Sequence, residues 1–180
     1  MHCSFANHKA TSGRHKKLRH NQWQYGWHVG AGGCKQQKFC MRNSIFKPHG
    51  AVQIEVSGSI VTAHMRGHWN IEMRNQAAQA MGEPVQALNA AGPWGIINVL
   101  HDTLIYSEEI FSTSRQDYAA RPASSRLAAV AFVIDPQVEG AQLLRYRFEN
   151  LLDGIIPSGV FADLPSAQSW VQQMIAGAGH

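Results

Sequence analysis

Residues 127–134 read LAAVAFVI, eight positions without a polar side chain. A strand with one face to water alternates apolar and polar residues, so an unbroken apolar run of strand length belongs at the centre of a sheet, covered on both faces. Asp135 and Pro136 end the run and suit a helix start, after which Val138, Ala141, Leu144, Phe148, Leu151 and Leu152 recur at helical spacing. Toward the N-terminus, residues 95–100, GIINVL, form a second apolar strand. Ser107 then opens a helix with Glu108 and Glu109 in its first turn, where carboxylates suit the dipole, and with Ile110, Phe111, Ser114 and Tyr118 on its inner side.

Further upstream the period changes to two. Val52, Ile54 and Val56 share one face of a strand, and Gly58-Ser59 makes a tight turn into SIVTAHMRG, residues 59–67, which predicts a hairpin. Asn70 caps a helix with Met73, Ala77, Ala80, Met81, Pro84 and Leu88 on its apolar stripe; Gly82 and Pro84 kink or divide it, and Gly92-Pro93 ends it. At the other end of the chain a short strand at 159–162 precedes a helix begun by Pro165. Its stripe of Ala167, Trp170, Val171, Met174 and Ile175 marks a packing face, with Trp170 as the expected anchor. The expected fold is a single α/β domain: a mixed sheet of about five strands, an opening hairpin followed by parallel strands, flanked by about four helices.

Charge divides the chain differently. Residues 1–44 hold eight lysines and arginines and no carboxylate, so the remainder carries a net charge of −4 although the whole chain is at +4. An acidic body has no electrostatic footprint for phosphate, which makes nucleic acid an improbable partner except through the basic segment with its Trp23, Tyr25 and Trp27. That segment has only Leu18 and Val29 from the aliphatic core formers, so residues 1–43 read as a disordered basic leader and residues 44–180 as the domain. The composition shift at Met41 leads to the expectation that the working protein starts there. All three cysteines and five of the ten histidines lie before it, yet Cys34 and Cys40 are separated by five intervening residues, wider than the roughly 2 to 4 between paired structural zinc ligands, so no metal site is assigned. No run reaches the roughly 18 to 20 apolar residues of a membrane span, and the absence of an apolar signal segment or a paired cysteine framework fits a cytoplasmic protein.

The order of elements, with GHWNIE at residues 67–72 and VFADLPSAQSWVQQMI at residues 160–175, resembles the SpoIIAA-like branch of the STAS, or anti-sigma-factor antagonist, superfamily. The resemblance covers roughly residues 46–176 and rests on packing motifs, chiefly Phe161, Asp163, Ala167 and Trp170 in the pattern F-x-D-x-x-x-A-x-x-W. It implies a non-enzymatic regulatory module that binds protein partners, in some members switched by phosphorylation of a hydroxyl where the third strand meets its helix. Here that segment, HDTLIYSEEIFSTS at residues 101–114, departs from the Asp-Ser-Ser/Thr-Gly pattern of phosphorylated antagonists. The alternative on the same fold is a small apolar-ligand or lipid-binding carrier.

Candidate residues follow from position. Asp102, Thr103 and Ser107 lie in the loop where a parallel strand hands over to a helix, the end of an open sheet that presents ligands; Ser107 is either a modifiable hydroxyl or an N-cap. His64, His68 and His101 would converge if their strands are neighbours, and a histidine with Asp102 would support acid-base chemistry; on a continuing strand, however, His101 and Asp102 point to opposite faces and do not share a proton unless the chain has already turned. Trp69 either staples the corner where strand enters helix or, with Trp94, lines a pocket between helix and sheet. The chain has no nucleophile elbow, Walker loop or H-E-x-x-H, so no catalytic residue and no cofactor is assigned.

Overall fold

The computed structural model describes residues 27–29, 35–37, 50–104 and 106–179. Two three-residue strands, β1 (Trp27–Val29) and β2 (Lys35–Gln37), come first, followed by β3 (Gly50–Ser57), β4 (Ile60–Gly67), α1 (Ile71–Ala80), α2 (Gly82–Ala91), β5 (Trp94–Leu100), α3 (Glu108–Ala119), β6 (Leu127–Ile134), α4 (Ala141–Asn150), β7 (Ser158–Phe161) and α5 (Leu164–Ala178). All seven strands form one sheet in sequence order. β1 to β4 pair antiparallel, while β4 to β7 are parallel neighbours. The expected five strands are present as a hairpin and three parallel additions. β1 and β2 widen the sheet at the β3 edge and lie within residues 1–43. The zinc and basic-arm readings otherwise fall outside the described residues, as does the expected start at Met41.

Each parallel crossover steps one strand further in the same direction. Since crossovers are right-handed, successive steps in one direction deliver their helices to one face. Met73 of α1, Leu88 of α2 and Ile110 of α3 pack with Val52, Ile54, Val61, Ala63 and Ile96 of the sheet, and Phe111 and Phe148 of α3 and α4 pack with Val130, Phe132 and Ile134. Only α5 returns to the other face, where Ala167 and Val171 meet Ile97, Val99, Ala131 and Val133. β6 therefore has its odd and even residues buried on opposite sides, as its unbroken apolar sequence requires. The opposite face of β3 and β4 bears Gln53, Glu55, His64 and Arg66 and is not fully covered.

The start of the helix after β6 differs from the sequence reading, and the expected division of the first helix is found. The helix after β6 starts at Ala141, not at Asp135, because Asp135 instead closes a turn: its carboxylate accepts from the Gln137 N–H, and Gly140 at φ 84° redirects the chain into α4. The helix capped by Asn70, whose side chain accepts from the Met73 N–H, is divided at Met81 into α1 and α2, which makes five helices of the expected four. Trp170 lies half-buried against Phe161, and the deepest residues of α5 are the smaller Ala167 and Val171.

Small residues sit there because the helix rides directly on Gly95. A Cβ at residue 95 would lie 2.3 Å from Val171 Cγ1. Gly95→Ala should lower stability by about 1–3 kcal/mol, the usual cost of overpacking. In urea unfolding the double variant with Val171→Ala should lose less than the two single losses added together, because the new methyl enters the space that valine vacates; strict additivity would show that the contact is not what limits residue 95.

Candidate functional site

β5 ends at Leu100, and the loop after it carries Asp102, Thr103 and Ser107. The Thr103 N–H donates to the His101 carbonyl at 2.8 Å, closing a three-residue turn about Asp102, which takes a left-handed φ of 67°. Asp102 is exposed and its carboxylate accepts from Arg66 on β4 at 3.3 Å. Thr103 is buried and bridges Glu139, whose carbonyl also accepts from the Leu104 N–H. Ser107 is exposed at the N-cap of α3, and its hydroxyl makes no capping bond. The three residues thus share a loop but not a point: Thr103 ties the loop inward, while Asp102 and Ser107 face outward.

Of the three histidines, two meet. His64 on β4 and His101 beyond β5 stack with ring centroids 5.4 Å apart and 18° between planes, and His64 Nδ1 lies 3.1 Å from His101 Nε2, so one nitrogen donates and the other accepts. Alternation along the strands puts this pair on the α5 face, beside Arg66 and Asp102. His68 is exposed and does not join them. Asp102 is engaged by Arg66, and because the chain has already turned at residue 102 it lies beside His101 instead of on the opposite face that strand alternation led to expect.

On the opposite face, between the sheet and α1, α2 and α3, lies a cavity of about 590 Å3. Val52, Ile54 and Ile96 of the sheet line one side, Ala77 and Val85 of the helices the other, and both Trp69 and Trp94 contribute indole surface. Trp69 also bridges Tyr106 at the corner, with ring centroids 6.5 Å apart. Trp94 Nε1 donates to Asn89 Oδ1 at 2.8 Å, whereas Trp69 Nε1 is buried without a partner among the described residues.

The polar side of this cavity was not anticipated. Arg74 on α1 forms an ion pair with Asp117 on α3. Arg121 donates to the carbonyls of Tyr118 and Ile155 at 2.7 and 3.0 Å. Asn98, in the middle of β5, hydrogen-bonds the Tyr118 side chain, and burial pushes the Tyr118 phenol up to about 12, opposed by that bond and by the nearby charges of Arg74 and Arg121. Asn98 was visible as the single polar residue inside an apolar strand; Arg74, Asp117 and Arg121 give no periodic signal and come together only in three dimensions.

No protein-family model matches the chain, and no curated protein matches it. Among solved structures it is similar to the anti-sigma factor antagonist from Mycobacterium paratuberculosis, with 14% identity and a TM-score of 0.45 over 68% of this chain and 94% of that protein. The architecture itself is established by the strand order and pairing given above. Among the described residues, no helix is long and apolar enough to cross a membrane.

The histidine pair has a measurable consequence. His101 titrates below the ordinary value of 6.5, first because of burial, then because of Arg66 and His64, with Asp102 opposing. A depressed histidine favours the folded state in its neutral form, so that contribution is fully present above about pH 6.5 and is lost as pH falls through the lower folded value. His101→Gln should therefore lose less stability than the parent in urea titrations taken from pH 7 to pH 5. An identical pH slope for the two proteins would assign the acid sensitivity to other groups.

Proposed function

We propose that the chain is a non-enzymatic regulatory module that acts by binding a partner protein, through the surface where the β5–α3 loop meets α4. The observation that carries this reading is the exposure of Leu143 and Tyr146, at 83% and 71%, three residues apart on α4. Among the described residues these are the exposed large hydrophobic side chains, in a protein that buries its other large apolar groups at least in part. Neighbours at i and i+3 present one continuous apolar patch, which is the form of a protein contact more than of a solvated helix face.

The loop residues support the same surface by their linkage to α4. Thr103 and Leu104 hold Glu139, immediately before the helix, and Glu108 in the first turn of α3 pairs with Arg147 of α4. The Arg147 guanidinium in turn lies 4.2 Å from the centroid of the Phe111 ring. A charge placed at Ser107, one residue from Glu108, would compete for Arg147 and disturb the seat of α4. Asp102, Thr103 and Ser107 are proposed in this sense as the regulatory loop, with Leu143 and Tyr146 as the docking residues.

The test is the affinity for the partner protein isolated from the native cells, measured on purified components. The double substitution Leu143→Asp and Tyr146→Ser should weaken binding tenfold or more, while surface positions of this kind change folding stability by only about 0.5 kcal/mol. Undiminished affinity would remove α4 as the contact.

A further inference from the structure

We propose that the cavity between the sheet and α1, α2 and α3 binds a small apolar acid, with its hydrocarbon body against Trp69 and Trp94 and its carboxylate at Asn98 and Tyr118. This goes beyond the partner contact proposed above and does not depend on it. The size is that of a small-ligand site, for which about 300–1,000 Å3 is usual, and the composition fits as well: apolar walls with a few convergent polar groups.

Asn98 is the telling residue. Every other position of β5 is buried, as befits a strand with helices over both faces, yet Asn98 remains partly accessible because the cavity reaches it. A carboxamide has four hydrogen-bonding positions, and the bond to Tyr118 satisfies one of them. An apolar side chain would fill this place in a sheet whose only task was packing. Asn98 is the polar side chain among the strand residues that line the cavity.

Charge selects the ligand's head group. Arg74, Arg121 and Asp117 all line the cavity. Asp117 neutralises Arg74, but the partners of Arg121 are two neutral carbonyls, and it has no carboxylate partner among the described residues. The lining therefore carries one positive charge in excess. Burial is the largest influence on the Tyr118 phenol and disfavours an anion there, and both guanidinium groups oppose it. A monoanion seated at Tyr118 meets the excess charge in a site partly screened from water, where the attraction is stronger than at the surface. A neutral molecule of the same shape would leave it unused.

Decanoate is the probe, with 1-decanol as its uncharged counterpart, titrated calorimetrically into the full chain. Decanoate should bind one molecule per chain and at least tenfold more tightly than decanol. Ala77→Phe, which places a ring in the cavity, should abolish decanoate uptake without lowering the unfolding midpoint. Tyr118→Phe keeps the ring and removes the hydroxyl; it should weaken decanoate about tenfold and leave decanol unchanged, and it carries the test if the Ala77 variant fails to fold. No uptake of decanoate by the parent, or uptake undiminished in Ala77→Phe, would overturn the site. Equal affinities for decanoate and decanol, or a Tyr118→Phe variant that binds decanoate like the parent, would overturn the assignment of the charged head.

Discussion

Residues 130–134 of β6 point alternately to two sides and are buried on both, so the sheet must carry helices on each face. Right-handed crossovers taken in a single direction work against that requirement, because they place α1, α2, α3 and α4 together on one face. The last helix resolves the conflict. α5 returns across the sheet after β7 and covers β5 and β6 on the otherwise uncovered side, and its close seating is made possible by the absence of a side chain at Gly95 and the small size of Ala167 and Val171. A single helix cannot cover seven strands, and among the described residues the hairpin half of that face bears polar residues and the His64–His101 pair.

The crowded face has a different consequence. α3 and α4 pack tightly on the β6 side through Phe111, Phe132 and Phe148, whose rings meet with centroids 5.2 Å apart in two of the pairs. On the hairpin side the covering helix is broken at Met81, and alanines fill much of its inner surface, Ala77 and Ala80 among them. Short side chains do not reach the sheet everywhere, and the cavity lined by Trp69 and Trp94 occupies the difference. The two sides of one helical layer thus differ in kind: one is an aromatic core, the other a chamber with charged residues in its lining. Arg74 and Asp117 join α1 to α3 across that chamber, so the ion pair helps define its shape.

Both candidate surfaces depend on how α3 is seated. Its first turn holds α4 through Glu108 and Arg147, and its last turn presents Asp117 and Tyr118 to the cavity. A displacement of α3 would be felt at the exposed α4 patch and in the chamber, which gives a physical route by which occupancy of one could alter the other. The β5–α3 loop, with its left-handed Asp102 and its ties to Arg66 and Glu139, fixes the start of that helix.

Periodicity and turn chemistry were enough to place the hairpin, the central strands and the capped helices, because these features depend on residues close in sequence: the alternation of Val52, Ile54 and Val56, the Asn70 cap, the unbroken run of β6. The same local signals misplaced the start of α4, since Asp135-Pro136 resembles a helix start and only the bonding of Glu139 by the distant residues 103 and 104 shows why the chain turns first. Trp69 and Trp94 were legible as a pocket pair by their positions at the ends of elements, and His64 and His101 as neighbours once their strands were taken to be adjacent. What only the tertiary structure decided was the meeting of Asn98, Tyr118, Arg74 and Arg121, and the outward display of Leu143 and Tyr146. Neither has a period in the sequence, because the first is set by which strands and helices end up facing each other, and the second by the side of α4 that no other element covers among the described residues.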